Sequence, residues 1–341
     1  MNEKTKYIFF EGDEETGKII MNDLINKEDV KIIYKKNAFK SKILSKIFNI
    51  HMSQLLNRHI QFPLKKLWFK RLIGNDYYEN DKIIFIFIAG WFNRDLHSWL
   101  RMNYLNSKQV LYMRDTVNVY EKAIPSFKGD NLNDIFDLVI SYNPNDCSKY
   151  GFIYSPVFIS KFETTSLGKY TTSDIVFIGH AKDRLQLLHK LYEKFISFEL
   201  KCDFYITGTK DEDKKYTEGI NYAKNNLTYE NYLRRVISSN CIIDVIKGDT
   251  QGGTYRYWEA VYYNKKLITN WKGIKDFKFY DERYMMYFED VDDIDINFFK
   301  KNCDVEYNYN GENSPVHLLE FLEMLLPIPN LDKPEPKRKN A

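Results

Sequence analysis

Cysteine is scarce: four in 341 residues (Cys147, Cys202, Cys241 and Cys303), far apart in the chain. No two have the spacing of a metal knuckle, and scattered thiols fit a reducing cytoplasm. Long apolar runs are also missing. The longest, Ile83–Phe92, is about half of what a membrane span needs and reads as a buried strand. Tyr7–Phe10 is too short for the apolar stretch of a signal peptide. The expectation is therefore a soluble or peripheral cytoplasmic protein. A net charge of +3 is too small to argue for nucleic-acid binding, and no nucleic-acid module accompanies it. What is present is hydrophobic content, 44%, enough for full cores, and a length that suits two domains.

The stretch around which the chain is organised is Thr250–Asn270. It follows the apolar run Cys241–Ile246 and ends in another, Leu267–Thr269. That is strand, glycine loop, helix, strand, half of a parallel α/β repeat. Gly252 and Gly253 carry no Cβ and let the backbone approach a ligand. Thr254 can cap the following helix. The helix start offers free N–H groups and partial positive charge, which suit a diphosphate. Trp258, Val261 and Tyr262 can face the core, and Arg256 and Glu259, three apart, share the other face. Asn264 sits where the helix stops and tolerates the left-handed conformation.

This stretch resembles the nucleotide-sugar signature of GT-B glycosyltransferases. In many of those, one Glu precedes a glycine-rich turn and a second, eight residues on, binds the donor ribose. Glu259-Ala260 stands where the second Glu would be, and position 251 is Gln. Arg256-x-x-Glu259-Ala260 resembles a branch that builds bacterial capsular, exopolysaccharide or lipopolysaccharide chains. The resemblance is good over roughly 174–300 and weak in the N-terminal half. It implies an α/β fold of two Rossmann-like doubly wound domains facing a cleft (GT-B), with a C-terminal helix crossing back to the first domain. The corresponding boundaries are 1–156 for an acceptor domain, 157–173 for a linker and 174–312 for a nucleotide-sugar domain. The crossing helix is then 313–328 and a disordered tail 329–341.

In chain order, Lys6–Phe10 reads as a strand leading to Gly12-Asp13-Glu14-Glu15-Thr16-Gly17-Lys18-Ile19. The glycine and lysine spacing is that of a P-loop. Ile19 replaces the Mg²⁺-binding hydroxyl, however, and three acidic residues repel phosphate, so a turn opening a helix is the better reading. Val30–Tyr34 reads as the next strand. Residues 30–75 contain no acid, and Ile43, Leu44, Ile47 and Phe48 recur at helical spacing beside Lys42 and Lys46. The pattern fits either a basic amphipathic segment lying on an anionic bilayer or a solvated basic face over core helices. Strands then alternate with helices through Tyr154, and Thr164, Thr165, Thr171, Thr172 and Ser173 mark the linker.

The second domain opens with Asp174–Ile178 followed by Gly179, Lys182 and Arg184, a strand–glycine–base–helix arrangement suited to a diphosphate. A solvated helix start is the alternative. Tyr229 lies where base-stacking residues are often found. Asp290-Val291-Asp292 contains D-x-D, but acids before a helix need no metal. Ser314-Pro315 opens a leucine-rich helix.

By resemblance, the expected donor site comprises Gly179, Lys182, Arg184, Gln251, Gly252, Gly253, Thr254, Arg256 and Glu259, with no metal or other cofactor. Asp115 is the first choice as general base and Glu11 the second, with His97 weaker. The expected partners are a nucleotide sugar (a hexose, including galactofuranose), a lipid-linked oligosaccharide acceptor and an anionic inner membrane surface reached through residues 30–75. The alternatives are a non-catalytic polysaccharide-assembly protein with this fold and a P-loop phosphotransferase working through Lys18.

Overall fold

The structure, a computed structural model, describes residues 4–57, 60, 62–124, 126–163, 172–215, 219–246, 253–300 and 304–328. It divides into two compact units. One runs to Ser141 and adds Asp146–Ser155 and the segment from Pro315. The other is Tyr142–Asn145 with Pro156–Ser314.

In the first unit β1 (Lys6–Glu11) is followed by α1 (Glu14–Ile20), β2 (Val30–Tyr34), α2 (Lys42–His51), α3 (Gln54–Asn57) and α4 (Lys65–Ile73). Then come β3 (Ile83–Phe87), α5 (Arg94–Asn103), β4 (Ser107–Met113), α6 (Val117–Ala123), α7 (Leu132–Ile135), β5 (Leu138–Ser141), α8 (Pro144–Tyr150) and β6 (Ile153–Tyr154). All pairings are parallel, in the order β2-β1-β3-β4-β5-β6. A parallel strand covered on both faces must be apolar on both, and every side chain of β3 is buried. The order reverses between β1 and β3, which opens a crevice at their carboxyl ends.

The second unit carries β7 (Ser173–His180), α9 (Leu185–Ser197), β8 (Cys202–Thr207), β9 (Ile220–Ala223), α10 (Tyr229–Ile237) and β10 (Ser239–Asp244). After these come α11 (Tyr255–Tyr262), β11 (Lys266–Thr269), β12 (Met285–Tyr287) and α12 (Asn297–Lys300). Its sheet is also parallel, ordered β12-β11-β10-β7-β8-β9, with the reversal between β7 and β10. The short edge strands β9 and β12 escape sequence reading, because each offers too few apolar residues for a periodic signal.

α13 (Pro315–Leu325) belongs to the first unit. Leu318, Leu319 and Leu322 are buried, and the Tyr7 hydroxyl donates to Glu323 Oε1 at 2.5 Å. The segment read as the start of a polar linker is partly core. Val157, Phe158, Ile159 and Ser160 are buried, and Ile159 exchanges main-chain and side-chain bonds with Asn313 and Tyr262. The threonine cluster that suggested a linker lies mostly outside the described residues.

Candidate functional site

The second unit's reversal point gathers most of the candidate donor residues. β7 ends at Gly179 and His180, and β10 ends at Asp244. Thr254 caps α11, its hydroxyl accepting from Arg256 N–H at 3.2 Å and donating to Asp244 Oδ2 at 2.7 Å. One hydroxyl thus satisfies an orphan helix donor and ties the helix start to a strand end. Arg256 donates to the Ile178 carbonyl and lies 3.4 Å from Asp244 Oδ1. Arg184, just ahead of α9, donates to the carbonyls of His180, at 3.1 Å, and Val245.

Both guanidinium groups lie over the ring of Phe177, 5.4 Å away for Arg184 and 5.7 Å for Arg256. A Cβ built on Gly179 would sit 3.3 Å from Arg184 Nη2 and 3.0 Å from Arg256 Nη2. A side chain at this position would press on both guanidinium groups and force each to give by a few tenths of an ångström. Burial, together with the charge of Arg256, pulls the Arg184 guanidinium down to about 10. Two like charges held this close beside a hydrophobic ring favour an anion between or above them. Lys182 is exposed, with a left-handed φ of 48°, and its N–H donates to His180 Nδ1 at 3.1 Å.

Glu259 departs from the sequence reading. Its carboxylate does not look out beside Arg256. It is 1% exposed and accepts from the hydroxyls of Tyr229, at 2.8 Å, and Tyr232. Burial drives its carboxyl up to about 7, against the pull of the two hydroxyls and Arg256. α11 is buried on all sides from Tyr257 to Tyr262, so no face was left to carry a solvated acid. The rings of Tyr229 and Tyr232, one turn apart on α10, stack at 5.6 Å. Tyr229, read as a base-stacking candidate, spends its polar end on Glu259.

Gly253 is also required by its own chain. A Cβ there would fall 2.8 Å from the ring of Phe277, so the close neighbour is part of the same chain. Gln251 and Gly252 lie outside the described residues. Asp244 and Tyr232 were not singled out from sequence. An acid ending the run Cys241-Ile242-Ile243 was the available signal for Asp244, and the i, i+3 spacing from Tyr229 the signal for Tyr232.

Glu11 ends β1 and is buried, its carboxylate 2.8 Å from Arg114 Nη1. Gly17 leaves it room, since a Cβ there would meet Glu11 Cγ at 2.5 Å. Lys35 donates to the Gly90 carbonyl at 2.5 Å, and Trp91 Nε1 donates to the Glu11 carbonyl at 2.7 Å. Asp115 follows β4 and is half-buried, its Oδ1 accepting from Thr116 N–H at 2.9 Å. His97 is a core residue. Its Nδ1 meets Gln109 Oε1 at 2.8 Å, Phe87 and Phe136 press on its ring, and burial drops it to about 4.

Asp13 caps α1, and Lys18 pairs with Glu14 at 2.7 Å, which fits the helix-opening turn. In the D-x-D stretch Asp290 forms a capping box with Asp293, and its Oδ1 accepts from Asp292 N–H at 3.0 Å. Among the described residues no three His, Cys, Asp or Glu side chains are grouped to hold a metal ion, and no helix is long and apolar enough to cross a membrane.

The two parallel six-stranded sheets with interleaved helices define a two-unit α/β fold of the GT-B class. The sequence matches no family model and no curated protein. The likeness lies in solved structures. One is an alpha-glucosyltransferase in complex with UDP-glucose and DNA containing an abasic site, at 12% identity and a TM-score of 0.53, with 94% of this chain and 99% of that one covered. Another is Alr3699/HepE of Anabaena in complex with UDP-glucose, at 10% identity and a TM-score of 0.51, with the same coverage. At such identities the likeness is one of fold.

Proposed function

We propose that this chain is a glycosyltransferase that takes a sugar from a nucleotide-diphosphate donor and passes it to an acceptor hydroxyl. The observation that carries this reading is the pair Arg184 and Arg256, converging on Gly179 over Phe177 at a reversal point of a parallel sheet. In the reaction the acceptor oxygen bonds to the anomeric carbon as the bond from that carbon to the diphosphate breaks. The leaving diphosphate gains negative charge, and two fixed guanidinium groups are placed to stabilise it. Lys182, Thr254 and the amides at Gly252 and Gly253 complete the proposed donor site, with Gln251 beside them. The acceptor proton needs a base if the reaction inverts, and Asp115 is the proposed one. Glu11 is less suited, because it would first have to leave Arg114.

Glu259 is proposed to reach the donor ribose by exchanging a tyrosine hydroxyl for a sugar hydroxyl. Each carboxylate oxygen has two lone pairs, so the second tyrosine bond can persist. The sequence resemblance suggests a hexose, galactofuranose included, and a lipid-linked surface-polysaccharide intermediate as acceptor, with no metal required. Both solved structures named above hold UDP-glucose, which makes uridine the first nucleotide to try. Calorimetric titration of the full chain with UDP, GDP and their sugar conjugates tests the reading. Binding of one diphosphate, weakened by Arg256→Ala, supports it, and a chain that binds none of them refutes it.

A further inference from the structure

The structure carries an inference that goes beyond the donor site and stands independently of it. Helix α2 has two apolar stripes. Phe48 and Met52 enter the core, and Phe48 packs edge-on against Trp68 of α4. Ile43, Ile47 and Ile50 form the second stripe and point away from it, 71%, 40% and 50% exposed. On the neighbouring helix the same division recurs. Phe69 and Leu72 are buried, while Leu67 is 66% exposed and Leu64, just before the helix, 69%. Helices α2 and α4 are joined by Phe48 and by His51, whose ring receives Trp68 Nε1–H at 3.0 Å. A basic surface that served only solubility would put its lysines outward and its isoleucines inward. Here both point outward, with exposed Lys42 and Lys46 flanking the isoleucine stripe and exposed Lys66 and Lys70 beside Leu67.

We propose that this outer face of α2 and α4 docks on an anionic lipid bilayer. Apolar side chains ringed by lysines match the headgroup boundary, where the former enter the acyl region and the latter meet lipid phosphates. At ten residues α2 is about 15 Å long, which suits a helix lying in the interface plane rather than crossing it. Charge decides against a second copy of this chain as occupant. A two-fold interface sets a patch against itself, and residues 30–75 hold no carboxylate to answer Lys42, Lys46, Lys66 and Lys70, while Asp95, which reaches α4 from α5, is held by Lys65 at 2.7 Å.

Vesicle flotation of the full chain provides the test. The chain floats with vesicles of phosphatidylcholine and phosphatidylglycerol, far less with phosphatidylcholine alone, and salt weakens the association. The triple variant Ile43→Ser, Ile47→Ser, Ile50→Ser lowers partitioning at least about tenfold, with circular dichroism unchanged because these side chains are exposed. Lys42→Gln with Lys46→Gln lowers it on anionic vesicles only. A chain that ignores anionic vesicles overturns the proposal, as do variants that float as well as the parent. Light scattering that shows a dimer lost in the triple variant, without vesicle binding by the parent, makes a second copy the occupant and also overturns it. Donor binding plays no part in any of these outcomes, so the two readings fail separately.

Discussion

The two sheets reverse their strand order at different places, and the two crevices are furnished in opposite ways. In the first unit the crevice between β1 and β3 is closed on itself: Glu11 has Arg114, Lys35 has a carbonyl, and Trp91 covers the strand end. In the second, between β7 and β10, two guanidinium groups meet over one ring, and among the described residues Asp244 is the carboxylate paired with Arg256. Equivalent topology therefore does not make equivalent sites. The first crevice divides its cations, Arg114 on Glu11 and Lys35 on a carbonyl, whereas the second brings two guanidinium groups onto one glycine, the arrangement that suits a diphosphate.

The sharpest way to break this contrast is to cut the first unit's pair. Arg114→Met leaves Glu11 buried without its partner and should lower unfolding free energy by about 3 kcal/mol, read by denaturant titration. UDP affinity of the folded fraction should not change. Arg256→Ala should act the other way, weakening UDP by about 100-fold in calorimetry with a smaller stability loss. A loss of UDP binding on Arg114→Met and not on Arg256→Ala would invert the comparison.

Glu259 gives a subtler measure. Its folded carboxyl titrates near 7 against an ordinary value of 4.5. Between those values the unfolded chain has released a proton that the native chain still holds, so stability falls as pH rises through this window and levels off above it. The shift corresponds to roughly 3 kcal/mol. Glu259→Gln should flatten that slope in thermal denaturation from pH 4 to pH 8 (about the titration range). If the ribose proposal holds, the same variant also weakens UDP but leaves pyrophosphate binding alone. Gly179→Ala should have an intermediate effect on affinity, about tenfold, because its Cβ crowds both Arg184 and Arg256. Lys18→Ala, which breaks only an exposed pair with Glu14, should change stability by less than about 0.5 kcal/mol and leave nucleotide binding untouched.

Local chemistry was what the sequence made legible. Thr254 as cap and Asn264 in the left-handed conformation need only neighbouring residues, and both are as expected, Asn264 with φ of 50°. The strand–helix alternation was legible for the same reason, since long parallel strands such as β3 are apolar throughout. The placement of Gly179, Arg184 and Arg256 together follows from β7 and β10 being neighbours, which the repeat pattern implies. Less accessible were facts fixed by pairs distant in sequence. Gly253 answers to Phe277, Asp244 takes its role from Thr254, and His97 is a core residue because Gln109 and three phenylalanines surround it. Glu259 was misjudged in its exposure because the helix wheel shows which residues share a face, not whether α10 covers that face with tyrosines.

The bond between Tyr7 and Glu323 joins residues 316 positions apart, and α13 closes the unit that begins with the first strand. On the ribosome, then, the first six-stranded sheet waits for almost the entire chain before its final helix arrives. At ordinary elongation rates that interval is on the order of tens of seconds, during which the surface meant for Leu318 and Leu322 is open to chaperones. Protein truncated before Pro315 should lose the unit it starts with before it loses the one in its middle.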